Sequence, residues 1–287
     1  MDLQKHPYRS VLYIPGSKER ALDKARILPT DAIIFDLEDA VAPDAKAEAR
    51  ATLAKALTDG GYGNRVKIVR TNALTTEWGF EDVRQLKDAG ADIFLLPKVN
   101  AYPDVDSLAD MIGPDIPVWP MMETPASVFN AREIAAHAQV TGLVTGTNDL
   151  AKELGTRYRP DRMPLLQALQ MIVMAARASR GVVAIDGVYN KFKDEDGLKV
   201  ECEHGRDLGF DGKTLIHPAQ IDVTNAAFAP TESEIDIARR QIDAYEESKA
   251  AGLGIAVVDG QIVENLHVVA AQRILAKADA IAEMAAE

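Results

Sequence analysis

The chain reads as an α/β protein: eight parallel strands, each followed by a helix, closed into a barrel, with a C-terminal appendage of helix, hairpin and helix. Three observations carry this reading. Apolar, β-branched runs recur eight times up to residue 218. Segments with helical periodicity separate them, such as "SKERALDKARIL" and "DAKAEARATLAKAL". The length, 287 residues, suits one (β/α)8 TIM barrel with a small addition.

The runs come in order. "SVLYIP" (10–15) and "AIIFDL" (32–37) are nearly unbroken apolar stretches, as strands buried on both faces should be. "RVKIVRT" (65–71) alternates more strongly, and "DIFLLPKV" (92–99) is closed by Pro97. "IPVWPMME" (116–123), "TGLVTGT" (141–147), "GVVAIDGV" (181–188) and "KTLIHP" (213–218) are bounded by glycines and prolines. Eight alternations favour closure over an open doubly wound sheet. Residues 1–230 are therefore assigned to the barrel. Residues 231–287 form the appendage: a helix ending at Gly252, a hairpin turning at Asp259-Gly260, and a last helix. It is too small to stand alone and is expected to act as a lid, packing on the barrel or on a neighbouring subunit. The long excursion 148–164 is a candidate active-site loop.

Composition narrows the function. Hydrophobic content of 47% and charged content of 26% are ordinary for a soluble globular chain. A net charge of −12 disfavours nucleic acid, which needs a basic footprint. No apolar run reaches 18 residues and "MDLQKHPYRS" has no apolar core, so neither a membrane span nor a signal peptide is expected. Cys202 is the only cysteine; it fits a reducing cytoplasm.

Barrels place their chemistry at the carboxyl ends of the strands. Polar residues fall there repeatedly: Asp36, Glu38 and Asp39 after the second strand, Arg70 and Asn72 after the third, Lys98, then Glu123, then Asn148 and Asp149. Asp186 and His217 follow on the last two. So acidic a rim repels itself unless a cation sits there. Oxygen donors without a Cys or His cluster point to Mg²⁺, with Mn²⁺ as a substitute. Glu123 and Asp149, on adjacent strands, are the best direct ligands. Glu38 and Asp39 would then hold metal-bound water. The alternative for "DLED" is a helix N-terminus decorated with acids. Arg70 ends an apolar strand and needs an anion, either a substrate carboxylate held bidentately or a rim acid. Ser17 can cap the helix after strand one, where Lys18, Arg20 and Lys24 suit phosphates. "GFDGKT" is no phosphate loop, since two residues separate its glycines where four are needed. His217, before Pro218, is assigned no proton transfer.

Read together, "RSVLYIPGS", "DAIIFDLEDAVAPDAKAEAR", "IVRTN", "LPKV", "MMET", "GTNDL", "IDGVY" and "GFDGKTLIHPAQI" resemble the citrate lyase beta-subunit-like and malyl-CoA lyase (HpcH/HpaI aldolase) superfamily, in order from about residue 9 to 285. "GTNDLAKELG", "FDGKTLIHPAQI" and "VVDGQIVENLHV" are most similar to its malyl-CoA thioesterase branch. The resemblance implies a TIM barrel, Mg²⁺, an acyl-CoA substrate and a homo-oligomer, whether dimer, trimer or hexamer. It implies metal ligands at Glu123 and Asp149, a carboxylate clamp at Arg70, and CoA contacts near Tyr13, Lys18, Lys24, Ile216 and His217. The expected reaction is hydrolysis of (3S)-malyl-CoA to (S)-malate and CoA. The alternative is a carbon–carbon lyase acting on malyl-CoA, citramalyl-CoA or citryl-CoA. One departure bears on the choice. Lyase members carry an Asp in a C-terminal "(M/V)-(I/V)-D" stretch, supplied across the subunit interface for proton transfer. This chain has Glu264 there. A carboxylate displaced by about 1 Å can cost ~10²-fold in rate, which would weaken cleavage and leave hydrolysis.

Overall fold

A computed structural model describes residues 2–285. Within Tyr8–Phe228, eight parallel strands close into a barrel in sequence order. They are β1 (Ser10–Pro15), β2 (Ala32–Asp36), β3 (Val66–Arg70), β4 (Ile93–Leu96), β5 (Val118–Met122), β6 (Gly142–Thr145), β7 (Val183–Asp186) and β8 (Gly212–Leu215). Closure is made where Ser10 of β1 pairs with Lys213 of β8. All eight expected strands exist. Most are shorter than their apolar runs, because the ladder ends where the chain turns out toward the rim.

Strand residues alternate between two apolar environments. Leu12, Ile33, Phe35, Val69, Phe94 and Leu143 belong to the core shared with the helices. The alternate residues face the barrel interior, and the last of these on each strand reach the carboxyl-end opening. Tyr13, Asp36, Arg70 and Glu123 are on this set. Register fixes their neighbours: Asp36 stands directly beside Arg70 across β2 and β3, and Pro15 beside Asp36.

The helix after β1 spans only Glu19–Ala25, and Lys18, not Ser17, is its cap residue, with no side-chain hydrogen bond. The expected Ser17 cap does not form. Asp186, placed on the rim by its position in the sequence, is fully buried at the end of β7. Arg162 Nη1 donates to both of its oxygens, at 2.8 and 2.7 Å, and Lys213 Nζ donates to Oδ2 at 3.2 Å. Lys213 also donates to Glu201 at 2.7 Å. Burial alone would raise the Asp186 carboxyl, but Lys213 and Arg162 outweigh it and hold the group below its ordinary range. The charge that looked like chemistry is a structural ion cluster.

Residues 2–7 and 229–285 form a second compact unit. Its helix Glu232–Ala250 opens with a capping box, Thr231 Oγ1 accepting from Glu234 N–H. Strands β9 (Ala256–Val258) and β10 (Gln261–Val263) pair antiparallel. Asp259 and Gly260 between them both have positive φ, 50° and 78°, as a type I′ turn requires. The helix Asn265–Ala285 follows, and Val263, Val268 and Ala256 form the unit's small core with Ile242 and Tyr245. Among the described residues, no helix is long and apolar enough to cross a membrane.

Candidate active site

A cleft of about 360 Å³ opens at the carboxyl ends of the strands, lined among others by Tyr13, Asp36, Arg70, Glu123, Thr145 and Asp149. Its walls are built by the interior-facing side chains described above.

Arg70 is buried, and its Nε and Nη2 donate to the two oxygens of Asp36 at 2.7 and 2.6 Å. One edge of the guanidinium is thus spent on the rim acid beside it in the ladder. Its Nη1 faces the acids after β2, 2.7 Å from Glu38 Oε2 and 3.4 Å from Asp39 Oδ2. The Glu38 contact is a close approach and not a hydrogen bond, since that buried oxygen has no hydrogen-bond partner. The Tyr13 ring lies 5.0 Å from the guanidinium carbon. A carboxylate ligand would therefore meet Nη1 in the company of Glu38 and Asp39, rather than the full fork.

Burial pushes the Glu38 carboxyl up to about 8, with Arg70 opposing and Asp39 and Glu123 adding to the rise. Asp39 stays exposed. The loop that carries both is held from beneath. Lys46 Nζ donates to the carbonyls of Leu37 and Glu38 and to Asn72 Oδ1, and Asn72 Nδ2 donates to Asp82.

Across the cleft, Lys98 stands between the two predicted metal ligands. Its ammonium is 2.7 Å from Asp149 Oδ2 and 3.4 Å from Glu123 Oε1, and its own N–H donates to Glu123 Oε1 at 2.7 Å. Its backbone has φ 56°, a left-handed conformation unusual for a lysine. Burial raises the Glu123 carboxyl despite Lys98. Asp149 is less buried, and the Lys98 hydrogen bond and charge hold it low. Gly146 makes room for Glu123: a Cβ there would lie 2.4 Å from the Glu123 Cβ.

The two carboxylates hold one cation between them, the Lys98 ammonium. The donors are carboxylate oxygens only. Among the described residues no group of three or more His, Cys, Asp or Glu side chains could hold a metal ion, so the protein would supply two ligands. That fits Mg²⁺, which keeps several waters or substrate oxygens.

Lys18 and Lys24 are exposed along the first helix, and Ile216 is exposed at the cleft edge. His217 stacks on Phe192 with ring centroids 4.6 Å apart, and its Nδ1 accepts from Ala219 N–H. Glu264 is exposed in the second unit, immediately before the last helix, its N–H bonded to His267 Nδ1. Three residues were not singled out as site residues by sequence. Asp36 and Lys98 read from sequence only as rim charges. Thr145, whose buried hydroxyl has no partner, gave no signal at all in "GLVTG".

An eight-stranded parallel barrel whose acids and arginine gather at the carboxyl end belongs to the class of barrels that take small ligands at that rim. More particularly, the chain belongs to the HpcH/HpaI aldolase/citrate lyase family, whose model matches residues 9–218. It is 59% identical to a (3S)-malyl-CoA thioesterase of Cereibacter sphaeroides, over 99% of both chains. It is 36% identical to the citrate lyase subunit beta of Escherichia coli, over 94% of this chain and 93% of that one. Among solved structures it is similar to the protein CitE from Mycobacterium tuberculosis in complex with magnesium, acetoacetate and coenzyme A. That match has a TM-score of 0.78 and 30% identity, over 94% of this chain and 97% of the other.

Proposed function

We propose that the chain is a Mg²⁺-dependent thioesterase that hydrolyses (3S)-malyl-CoA to (S)-malate and free CoA. One observation carries the reading: an oxygen-only cation position and a buried guanidinium face one cleft, in a chain 59% identical to a (3S)-malyl-CoA thioesterase. Glu123 and Asp149 would hold Mg²⁺, a Lewis acid that polarises substrate oxygens and acidifies bound water. Arg70 binds the free carboxylate of the acyl group through Nη1, held in place by its bidentate contact with Asp36. Thr145 offers its unpartnered hydroxyl to a polar group of the bound acyl chain. Glu38 and Asp39 orient water at the carboxylate side of the cleft. Tyr13, Ile216 and His217 line the way out for CoA, with Lys18 and Lys24 for its phosphates.

Glu264 is the proton-transfer group of this proposal. The second unit acts as a lid in a homo-oligomer, a dimer, trimer or hexamer in the cytoplasm, and delivers that carboxylate to the cleft. Exposed Leu253, Ile255, Val257, Ile262, Leu266 and Val269 give the unit an apolar surface suited to association. In hydrolysis, Glu264 takes a proton from the attacking water as its oxygen bonds to the acyl carbon, the acyl–sulfur bond breaks, and the Glu264 carboxyl returns that proton to the departing CoA sulfur.

A carbon–carbon lyase reading is favoured by the relation to citrate lyase subunit beta and by the CitE complex with acetoacetate and coenzyme A. Product analysis separates the two. Incubation of malyl-CoA with enzyme and Mg²⁺ should yield malate and free CoA; glyoxylate and acetyl-CoA as the main products would replace the thioesterase with the lyase. Glu264→Asp should move the product ratio toward glyoxylate and acetyl-CoA, and unchanged rates and products would return Glu264 to the surface.

A further inference from the structure

A second cavity, of about 640 Å³, lies beside the cleft and shares Thr147, Asn148 and Val188 with it. It sits between the helix Thr147–Glu153, the segment 155–165 and the loop after β7. Asn148 and Asn190 exchange amide hydrogen bonds, at 2.8 and 3.3 Å, where the two spaces meet.

Its charge is unlike that of the rest of the molecule. The chain carries −12 overall, yet five cationic side chains line this space, with Glu201 the one acid. Two of the five are neutralised: Arg159 by Asp161 and Arg162 by Asp186. Glu201 is itself taken by Lys213. Lys152, Arg157 and Lys191 have no carboxylate within ion-pairing distance among the described residues. Lys152 acts at longer range on Asp149 of its own helix, and Lys191 on Asp194. Lys191 lies instead over the Tyr158 ring, 5.9 Å from its centroid. Three exposed cations from three segments, none in an ion pair, converge on one half-open space, with Pro164, Leu165 and Val188 as apolar walls. A guanidinium and two ammonium groups match the several oxygens of a phosphate better than one carboxylate.

We propose that this cavity binds a free, phosphate-bearing small molecule through Lys152, Arg157 and Lys191, independently of the acyl-CoA cleft. The phosphates of CoA are the competing source of the same chemistry, and the test separates them.

Inorganic pyrophosphate serves as the probe, titrated calorimetrically into the intact protein with EDTA present, at roughly 0.15 M salt to screen loose surface attraction. One site is expected, with the same affinity when the protein is saturated with CoA. Arg157→Gln with Lys191→Gln should weaken it by about tenfold or more, while CoA affinity and Tm hold. The charge-conserving pair Arg157→Lys and Lys191→Arg should retain most of the binding, which excludes simple misfolding as the cause. No binding of pyrophosphate, or binding unaffected by the neutral pair, overturns the site. Displacement of pyrophosphate by CoA also overturns it, by assigning the cations to the substrate's nucleotide end. None of these readouts depends on whether malyl-CoA is hydrolysed.

Discussion

Replacing Gly146 by alanine tests whether the Glu123 position is built by close packing. The backbone is no obstacle, because φ is −95° and ψ 75°, with φ on the side open to every residue. The steric conflict is local. The new Cβ would stand 2.4 Å from Glu123 Cβ and 2.8 Å from Oε2. Ordinary contact begins about 1 Å farther out than the first of these, so Glu123 must recede by that amount. It cannot swing to solvent, being 1% exposed, and Oε1 is tied to the Lys98 N–H. Overpacking of this kind costs about 1–3 kcal/mol, or roughly 2–10 °C in Tm for a chain of this size. Moving a metal ligand by about 1 Å should weaken Mg²⁺ binding at least tenfold and cut turnover by ~10²-fold. Calorimetric Mg²⁺ titration, thermal denaturation and malyl-CoA hydrolysis measure the three effects. Wild-type Mg²⁺ affinity in a variant of normal Tm would refute the packing argument and the assignment of Glu123 as ligand.

Further outcomes follow from the same geometry. Arg70→Lys keeps the charge but loses both the bidentate contact with Asp36 and the planar edge toward the ligand, so kcat/KM for malyl-CoA should fall by about 10²-fold; an unchanged value would remove Arg70 as the clamp. Lys213→Met leaves Asp186 and Glu201 buried without their shared ammonium and should cost about 3–5 kcal/mol, read by urea denaturation; a loss below about 1 kcal/mol would contradict the ion-cluster reading. Glu38 carries a pH signature. Its folded pKa is about 8 against 4.5 for the free group, so the folded state keeps a proton that the unfolded chain has released. Stability must then fall as pH rises from about 4.5 to 8. Glu38→Gln abolishes that slope, and in the presence of chelator its Tm advantage over wild type should grow between pH 5 and 9; a constant difference across that window would show that Glu38 ionises freely.

The barrel was legible because strands buried on both faces leave long apolar runs, and "AIIFD" or "DIFLL" can be little else. The carboxylate pair at the cleft was legible for a different reason: "MMET" and "GTND" put single carboxylates at the ends of neighbouring strands. What the one-dimensional pattern hides is which charges face one another. Asp36 and Arg70 look like two rim residues until register sets them side by side. Asp186 resembles them in sequence, but Arg162 and Lys213 reach it from a distant loop and the next strand, so it is buried instead. Lys98 could not be read because its role depends on a left-handed backbone that no residue preference signals. Ser17 was misleading, since a helix of one or two turns can begin without a side-chain cap.

The contact between Asp36 and Arg70 has a practical corollary for redesign. Both residues belong to the hydrogen-bonded ladder, so the barrel wall itself, and no loop, aims the guanidinium. The segments 150–161 and 188–193 could be randomised, lengthened or exchanged with those of relatives, with Asp149 and Arg162 kept, while the anchor stays fixed. A library built there would vary the ligand that fits above a constant cationic foothold, with the wall acting as the jig on which each new pocket is assembled.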